Sequence, residues 1–160
     1  MTIKVGDRLP EAAFTTPGPD GPQQVTTGQV FKGKKVVLFA VPGAFTPTCS
    51  ARHLPGFRDK AAEFRAKGVD TIACLAVNDA FVMGAWAKDQ GAGKHVLMLA
   101  DGNGDFTRKL GLDMDASKYG MGQRSQRYAM LVEDGAVKDL QVEQAGEFRV
   151  SSAEHMLERV

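Results

Sequence analysis

The sequence predicts an α/β fold: a mixed central β-sheet flanked by helices. Three observations predict it. Apolar runs at residues 34–41 and 69–77 read as buried strands separated by an amphipathic segment, a β-α-β unit that requires parallel pairing and a right-handed crossover. Residues 127–132 and 136–142 are strand-like runs joined through Glu133-Asp134-Gly135, and Asp-Gly between apolar runs is a strong hairpin signal. The chain then closes on an amphipathic helix, so the order is β-α-β early and β-β-α late.

Residues 1–33 read as irregular with short extended pieces. Residues 13–16 and 24–27 are β-prone, and the Pro/Gly-rich residues 17–22 between them have the chemistry of a turn. After the strand at 34–41 comes a helix in which Pro55 predicts a kink or two helical pieces. Phe57, Ala61 and Phe64 recur at helical spacing and face the core, and Gly68 is the expected stop. Asn78 or Asp79 caps a helix to about Asp89, with Val82, Ala85 and Trp86 on one face. Residues 95–100 form a third strand, 101–104 a turn and 105–110 a short helix. Residues 111–126 read as less regular. Ser151 with Glu154 matches a capping box that opens the last helix, whose apolar face is Met156, Leu157 and Val160.

Length and composition exclude several classes. The 160 residues suit one domain, 1–160, long enough to bury a core. An apolar share of 43% and a charged share of 24% are ordinary for a globular protein. The net charge of +1 gives no electrostatic case for nucleic acid or an anionic membrane surface. No apolar run approaches the roughly 20 residues that span a bilayer. The first residues carry neither a signal-peptide core nor a transit-peptide pattern. Two cysteines, Cys49 and Cys74, do not make a disulfide scaffold and fit a reducing compartment, so a cytoplasmic location is expected. No His or Cys pair has metal-ligand spacing, and the glycines do not form a phosphate cradle, so no metal and no cofactor are expected.

The chemistry concentrates in residues 41–50, Val-Pro-Gly-Ala-Phe-Thr-Pro-Thr-Cys-Ser, a strand-to-helix loop. Cys49 falls at or near the first turn of the helix. Unpartnered N–H groups and the macrodipole put positive charge there, which stabilises a thiolate. Pro42 and Pro47 stiffen the approach. Thr46, three residues before the cysteine, offers a hydroxyl able to hold a small polar substrate beside the sulfur. The competing reading is an inert buried cysteine, a common fate of free Cys. In the dithiol motif C-x-x-C the equivalent tetrad has two thiols; here it is Thr46-Pro47-Thr48-Cys49, which disfavours a dithiol reductase.

The pattern P-x-x-x-T-x-x-C at Pro42, Thr46 and Cys49 resembles the active-site signature of the peroxiredoxins. The string PGAFTPTC, followed by His53-Leu54-Pro55-Gly56-Phe57, resembles the Prx5-type (type II, atypical) branch, and the likeness runs over nearly the whole chain. It implies a thioredoxin-like fold and a thiol peroxidase acting on hydrogen peroxide and organic hydroperoxides through a Cys49 sulfenic acid. Arg52, Arg124 and Arg127 are candidates for a cation beside the sulfur. The resemblance selects Arg127, which precedes an aromatic strand leading to an Asp-Gly hairpin. Thr46, Thr48, Cys49, Phe45 and Arg127 are then the expected substrate-binding residues, with Pro42 shaping the loop. His53 is read as structural or supporting, and Phe45 as the aromatic at the rim.

A resolving cysteine near the C-terminus, present in some Prx5-like proteins, has no counterpart in residues 147–152. Cys74 lies in a predicted central strand and is expected to be buried and inert. The resemblance therefore implies a one-Cys cycle in which glutathione and glutaredoxin return Cys49 to the thiol. Thioredoxin with an internal Cys49–Cys74 disulfide stays open, as does a redox sensor or holdase without turnover. The resemblance also implies a homodimer through the face that carries the Cys49 loop.

Overall fold

The structure is a computed structural model and describes residues 2–160. The chain enters the sheet through a hairpin, β1 (Ala13–Thr16) and β2 (Gln23–Thr26), with Phe14 opposite Val25. Thr27, expected at the end of this hairpin, instead opens α1 (Thr27–Phe31). Thr26 and Gln29 form a capping box, each side chain accepting from the other's main-chain N–H.

The centre of the sheet is β3 (Lys35–Ala40) beside β4 (Thr71–Ala76), parallel, with Phe39 opposite Cys74. On the far side of β4 lies β5 (Leu97–Ala100), also parallel. On the far side of β3 lies β8 (Tyr128–Glu133), antiparallel, followed by β9 (Ala136–Val142). Asp134 and Gly135 both have positive φ (49° and 78°), as a two-residue hairpin of this kind requires. The seven-stranded order is β2-β1-β5-β4-β3-β8-β9. Successive residues of β3 point to opposite faces. Val37 and Phe39 join a core with Leu54, Phe57, Phe64, Trp86 and Met156. Val36, Leu38 and Ala40 join one with Phe14, Phe31, Phe106 and Tyr128. Both faces are covered, which is why the central strands read as continuous apolar runs. This is the expected thioredoxin-like architecture.

The helical segment after β3 departs from a simple kink. It begins at residue 47, widens into a π-helical turn over Cys49–His53, and continues as α2 (Leu54–Asp59) and α3 (Ala61–Ala66). The Leu54 N–H reaches back five residues to the Cys49 carbonyl. Pro55, lacking an N–H, follows at the start of α2, so the ladder is adjusted just ahead of it. The break between the two pieces falls at Lys60 (φ −103°, ψ 13°).

Asp79 caps α4 (Ala80–Gln90), accepting from the Val82 N–H at 2.8 Å. The buried face is Ala80, Met83, Trp86 and Ala87; Val82 is half-buried and Ala85 exposed. Trp86 belongs to both helical stripes, so it did not decide between them. After α5 (Asp105–Leu110), the region expected to be irregular contains β6 (Asp113–Asp115) paired antiparallel with β7 (Gln123–Ser125). Three-residue strands reading DMD and QRS carry no apolar alternation to reveal them. The last helix, α6 (Ala153–Leu157), is capped by Ser152, which accepts from the His155 N–H, and not by Ser151. The Ser151 hydroxyl is taken by Glu143 at 2.7 Å.

Tyr128 is buried, and its hydroxyl has no hydrogen-bond partner among the described residues. Burial, with the nearby Asp101 and Cys74, pushes its ionisation far above the usual phenol range. An unpaired buried hydroxyl costs about 1–3 kcal/mol. Tyr128→Phe is therefore expected to leave stability unchanged or raise it by up to that amount, read as the urea midpoint. A clear loss of stability would show that the hydroxyl has a partner.

Candidate active site

The loop that leaves β3 is held from three directions. Val41 still pairs with β4, its N–H on the Leu75 carbonyl at 3.0 Å. Gly43 packs so closely that a Cβ would sit 3.1 Å from Met121 Cε and 3.2 Å from Thr46 Cγ2, tighter than a side chain normally accepts. The Ala44 N–H donates to Asn78 Oδ1 at 3.0 Å, tying the loop to the start of α4. Phe45 then adopts φ 64° with its ring 52% exposed. A bulky residue in that region costs of order 1–3 kcal/mol and persists only where its surroundings enforce it.

Thr46 supplies the enforcement. Its hydroxyl donates to the Gly43 carbonyl at 2.7 Å, and its own carbonyl accepts the Ser50 N–H at 3.0 Å to open the helix. A carbonyl only accepts, so the Thr46 proton is committed. What the Oγ1 offers a ligand is its remaining lone-pair capacity. Pro47, whose missing N–H is no loss there, opens the helix, and Cys49 follows in its first turn, fully buried.

Of the three candidate arginines, the guanidinium beside the sulfur is that of Arg127. Its Nη2 donates to Cys49 Sγ at 3.1 Å. Arg52 is exposed and lies over the Phe148 ring at 4.8 Å. Arg124 donates to the Met121 and Val77 carbonyls. Arg127 is steered by His53, whose Nδ1 lies 2.9 Å from Nη1. His53 Nε2 lies 2.9 Å from the Ser151 carbonyl. That carbonyl must accept, so Nε2 carries the proton and Nδ1 accepts from Arg127.

Burial above all, and then the Arg127 charge, depress the His53 pKa to about 3, against a smaller opposing pull from the Ser151 carbonyl. The unfolded chain, with its histidine at 6.5, takes up this proton first. The stability this neutral ring contributes is complete above pH 6.5 and is lost as pH falls from 6.5 toward 3. By pH 5 the loss is about 2 kcal/mol. Glu143, held below the ordinary carboxyl range, adds to the loss at lower pH. Urea midpoints measured from pH 7 to 5 are expected to fall in the wild type and to flatten in His53→Asn; equal slopes would contradict the assignment.

Pro42, Thr48 and Arg127 line a cavity of about 480 Å³, together with Met121, Tyr119 and residues 143–147. The site is thus a buried sulfur under a guanidinium, next to a cavity with room for more than hydrogen peroxide. Cys74 lies in the same core cluster as Cys49 and is wholly buried. Burial foremost, and then Cys49, push its thiol well above the ordinary value, with Arg127 opposing. Of the residues that sequence reading placed at this site, the fold sets Arg127 on Cys49 and puts Pro42, Thr48 and Arg127 on the cavity lining, while Phe45 is exposed and neither it nor Thr46 lines that cavity. Sequence reading missed Glu143, Ser151 and Asn78, which hold the site from distant parts of the chain.

Fold and site together define a thiol-based redox protein of the thioredoxin-like class. The redoxin family pattern matches residues 4–157. The chain is 53% identical to chloroplastic peroxiredoxin-2E of Arabidopsis thaliana over 160 residues, 98% of this chain and 68% of that protein. The structure of reduced Prx3 from Vibrio vulnificus in complex with hydrogen peroxide is 51% identical, with a TM-score of 0.95 and 99% of each chain covered. A Burkholderia cenocepacia protein described as a putative thioredoxin reductase is 47% identical, with a TM-score of 0.98, covering 100% of this chain and 99% of that one. Thr46 stands in this chain where a dithiol reductase has its first thiol. The chain belongs to the redoxin family and, within it, to the peroxiredoxins of the type II, Prx5-like group.

Proposed function

We propose that this peroxiredoxin reduces hydrogen peroxide and organic hydroperoxides at Cys49 and is recycled by glutathione and glutaredoxin. The observation that carries the reading is the Arg127 guanidinium 3.1 Å from Cys49 Sγ, beside an open cavity. The Cys49 thiolate attacks the terminal oxygen of the peroxide. An S–O bond forms and the O–O bond breaks, the sulfur losing two electrons to the peroxide. The other oxygen departs with a proton as water or alcohol. Arg127 and the N–H groups at Thr48 and Cys49 stabilise the charge that spreads onto the oxygens, while Thr46 Oγ1 accepts a peroxide O–H. The Vibrio relative crystallised with hydrogen peroxide supports the smaller substrate, and the size of the cavity supports the larger ones.

The sulfenic acid is then attacked by a glutathione thiolate, giving a mixed disulfide and water. A second glutathione or glutaredoxin thiol releases Cys49. Cys74, buried and held in its thiol form, supports this one-Cys cycle. A second reading has Cys74 resolve the sulfenic acid as a Cys49–Cys74 disulfide reduced by thioredoxin; both thiols lying in one core cluster favours it. We take residues 1–160 as one domain working in the cytoplasm, a reducing compartment that suits two unpaired thiols. We also take it to act as a homodimer through the face of the Cys49 loop. Phe45 and Phe81, 52% and 74% exposed on the loop and on the adjoining start of α4, support that surface.

The test is peroxide consumption with glutathione and glutaredoxin, and separately with thioredoxin and its reductase. Cys74→Ser is expected to keep glutathione-driven turnover within about twofold of wild type. Loss of turnover in Cys74→Ser, with thioredoxin the better donor, selects the internal disulfide. One round of oxidation and no turnover with either donor makes the protein a sensor or holdase.

A further inference from the structure

We infer that Glu143 is the positioning residue of this site, setting Arg127 on the Cys49 sulfur from both ends of the arginine. The inference rests on Cys49 being the peroxide-reactive atom, as proposed above.

Glu143 follows β9, and its carboxylate is buried. One oxygen, Oε2, accepts four hydrogen bonds: from the main-chain N–H groups of Arg149, Val150 and Ser151 at 2.8 Å each, and from the Ser151 hydroxyl at 2.7 Å. Three successive N–H groups converging on one oxygen form an anion-binding concavity, here filled by the chain's own side chain. Among the described residues Glu143 takes part in no ion pair; the neighbouring Arg149 pairs with Glu147 instead. Oε2 is therefore committed to shaping residues 149–151.

What that shaping achieves is specific. The Ser151 carbonyl is turned onto His53 Nε2 at 2.9 Å, which fixes the ring and its tautomer. The free Nδ1 then receives Arg127 Nη1 at 2.9 Å, leaving Nη2 for Cys49 Sγ at 3.1 Å. The same residue acts at the other end as well, its main-chain N–H donating to the Arg127 carbonyl at 2.9 Å. Arg127 is thus held by Glu143 at two points, its carbonyl across the sheet edge and its guanidinium through Ser151 and His53. A loop staple with no bearing on the chemistry would have no reason to end on the ring that carries the arginine. Second-tier partners of this kind orient the group that touches the reacting atoms, and small misplacements there are costly.

The test is the second-order rate of hydrogen peroxide with the reduced full-length protein, followed by Trp86 fluorescence. Trp86 donates to Ser50 Oγ next to Cys49, so it reports on this loop. Glu143→Ala is expected to slow the wild-type rate at least about tenfold. Glu143→Gln, whose amide oxygen can accept the same bonds, is expected to recover to within about threefold of wild type. Both effects should vanish in a His53→Asn background, because the side-chain route runs through that ring. Glutamine no better than alanine overturns the inference, as does a loss of equal size in both backgrounds. Should Glu143→Ala fail to fold, Glu143→Asp takes its place, its carboxylate set back by one methylene. A loss confined to the His53 background is expected, and no loss, or an equal loss in both, overturns the inference. A wild type that does not react with peroxide at Cys49 defeats the proposed function instead, so the two failures are distinct.

Discussion

Cys49→Ser is expected to end peroxide turnover, leaving only the buffer rate with any donor. The serine hydroxyl is not ionised at neutral pH and is a poor nucleophile toward oxygen, and among the described residues no base is placed to activate it. His53 cannot serve, because its Nδ1 accepts from Arg127 and its Nε2 proton is given to the Ser151 carbonyl. The fold should tolerate the change. Serine replaces one buried atom with a smaller one that still accepts from Arg127 Nη2, so stability should shift by about 1 kcal/mol or less. Steady-state peroxide consumption and a urea titration together check this. Turnover that survives in the serine variant would move the chemistry away from Cys49.

The next largest effect belongs to Arg127. Arg127→Gln is expected to slow the reaction with peroxide about 10²–10³-fold, the cost of removing a preorganised donor aimed at developing charge. Lysine should recover little of it. Arg127 has to reach Cys49 with one nitrogen and His53 with another, a fork that a single ammonium cannot reproduce. The loss should appear in the bimolecular rate with peroxide, while reduction of the already oxidised protein by glutathione changes much less. Equal losses in both half-reactions would make Arg127 a structural residue.

The parts of this account that were legible in the sequence are those where local chemistry and position coincide. The string PGAFTPTC names its own loop, because a buried strand before it and an amphipathic helix after it leave no other place for it. The β8–β9 hairpin was equally plain, since Asp134 and Gly135 can both adopt positive φ. Spacing alone leaves Arg52, Arg124 and Arg127 as candidates and the resemblance selects Arg127; the fold turns Arg52 over Phe148 and Arg124 onto main-chain carbonyls. Glu143 was invisible for a different reason. Three of its four hydrogen-bond donors are main-chain N–H groups, which leave no trace in side-chain identity. The misplaced cap at Ser151 has the same origin. Ser151 and Ser152 are equally able to cap, and the buried carboxylate of Glu143 decides which is free to do so. Strands β6 and β7 were hidden because a short two-stranded ribbon buries too little to impose a pattern.

The most direct measurement of the central claim is a single oxidation. The fully reduced protein is mixed with one equivalent of hydrogen peroxide in the presence of a sulfenic-acid-selective carbon nucleophile, and intact mass and peptide maps are read. One adduct per chain is expected, on the peptide that contains Cys49, with Cys74 unmodified and still a thiol. An adduct on Cys74, or an unmodified Cys49 after the peroxide has been consumed, would contradict it.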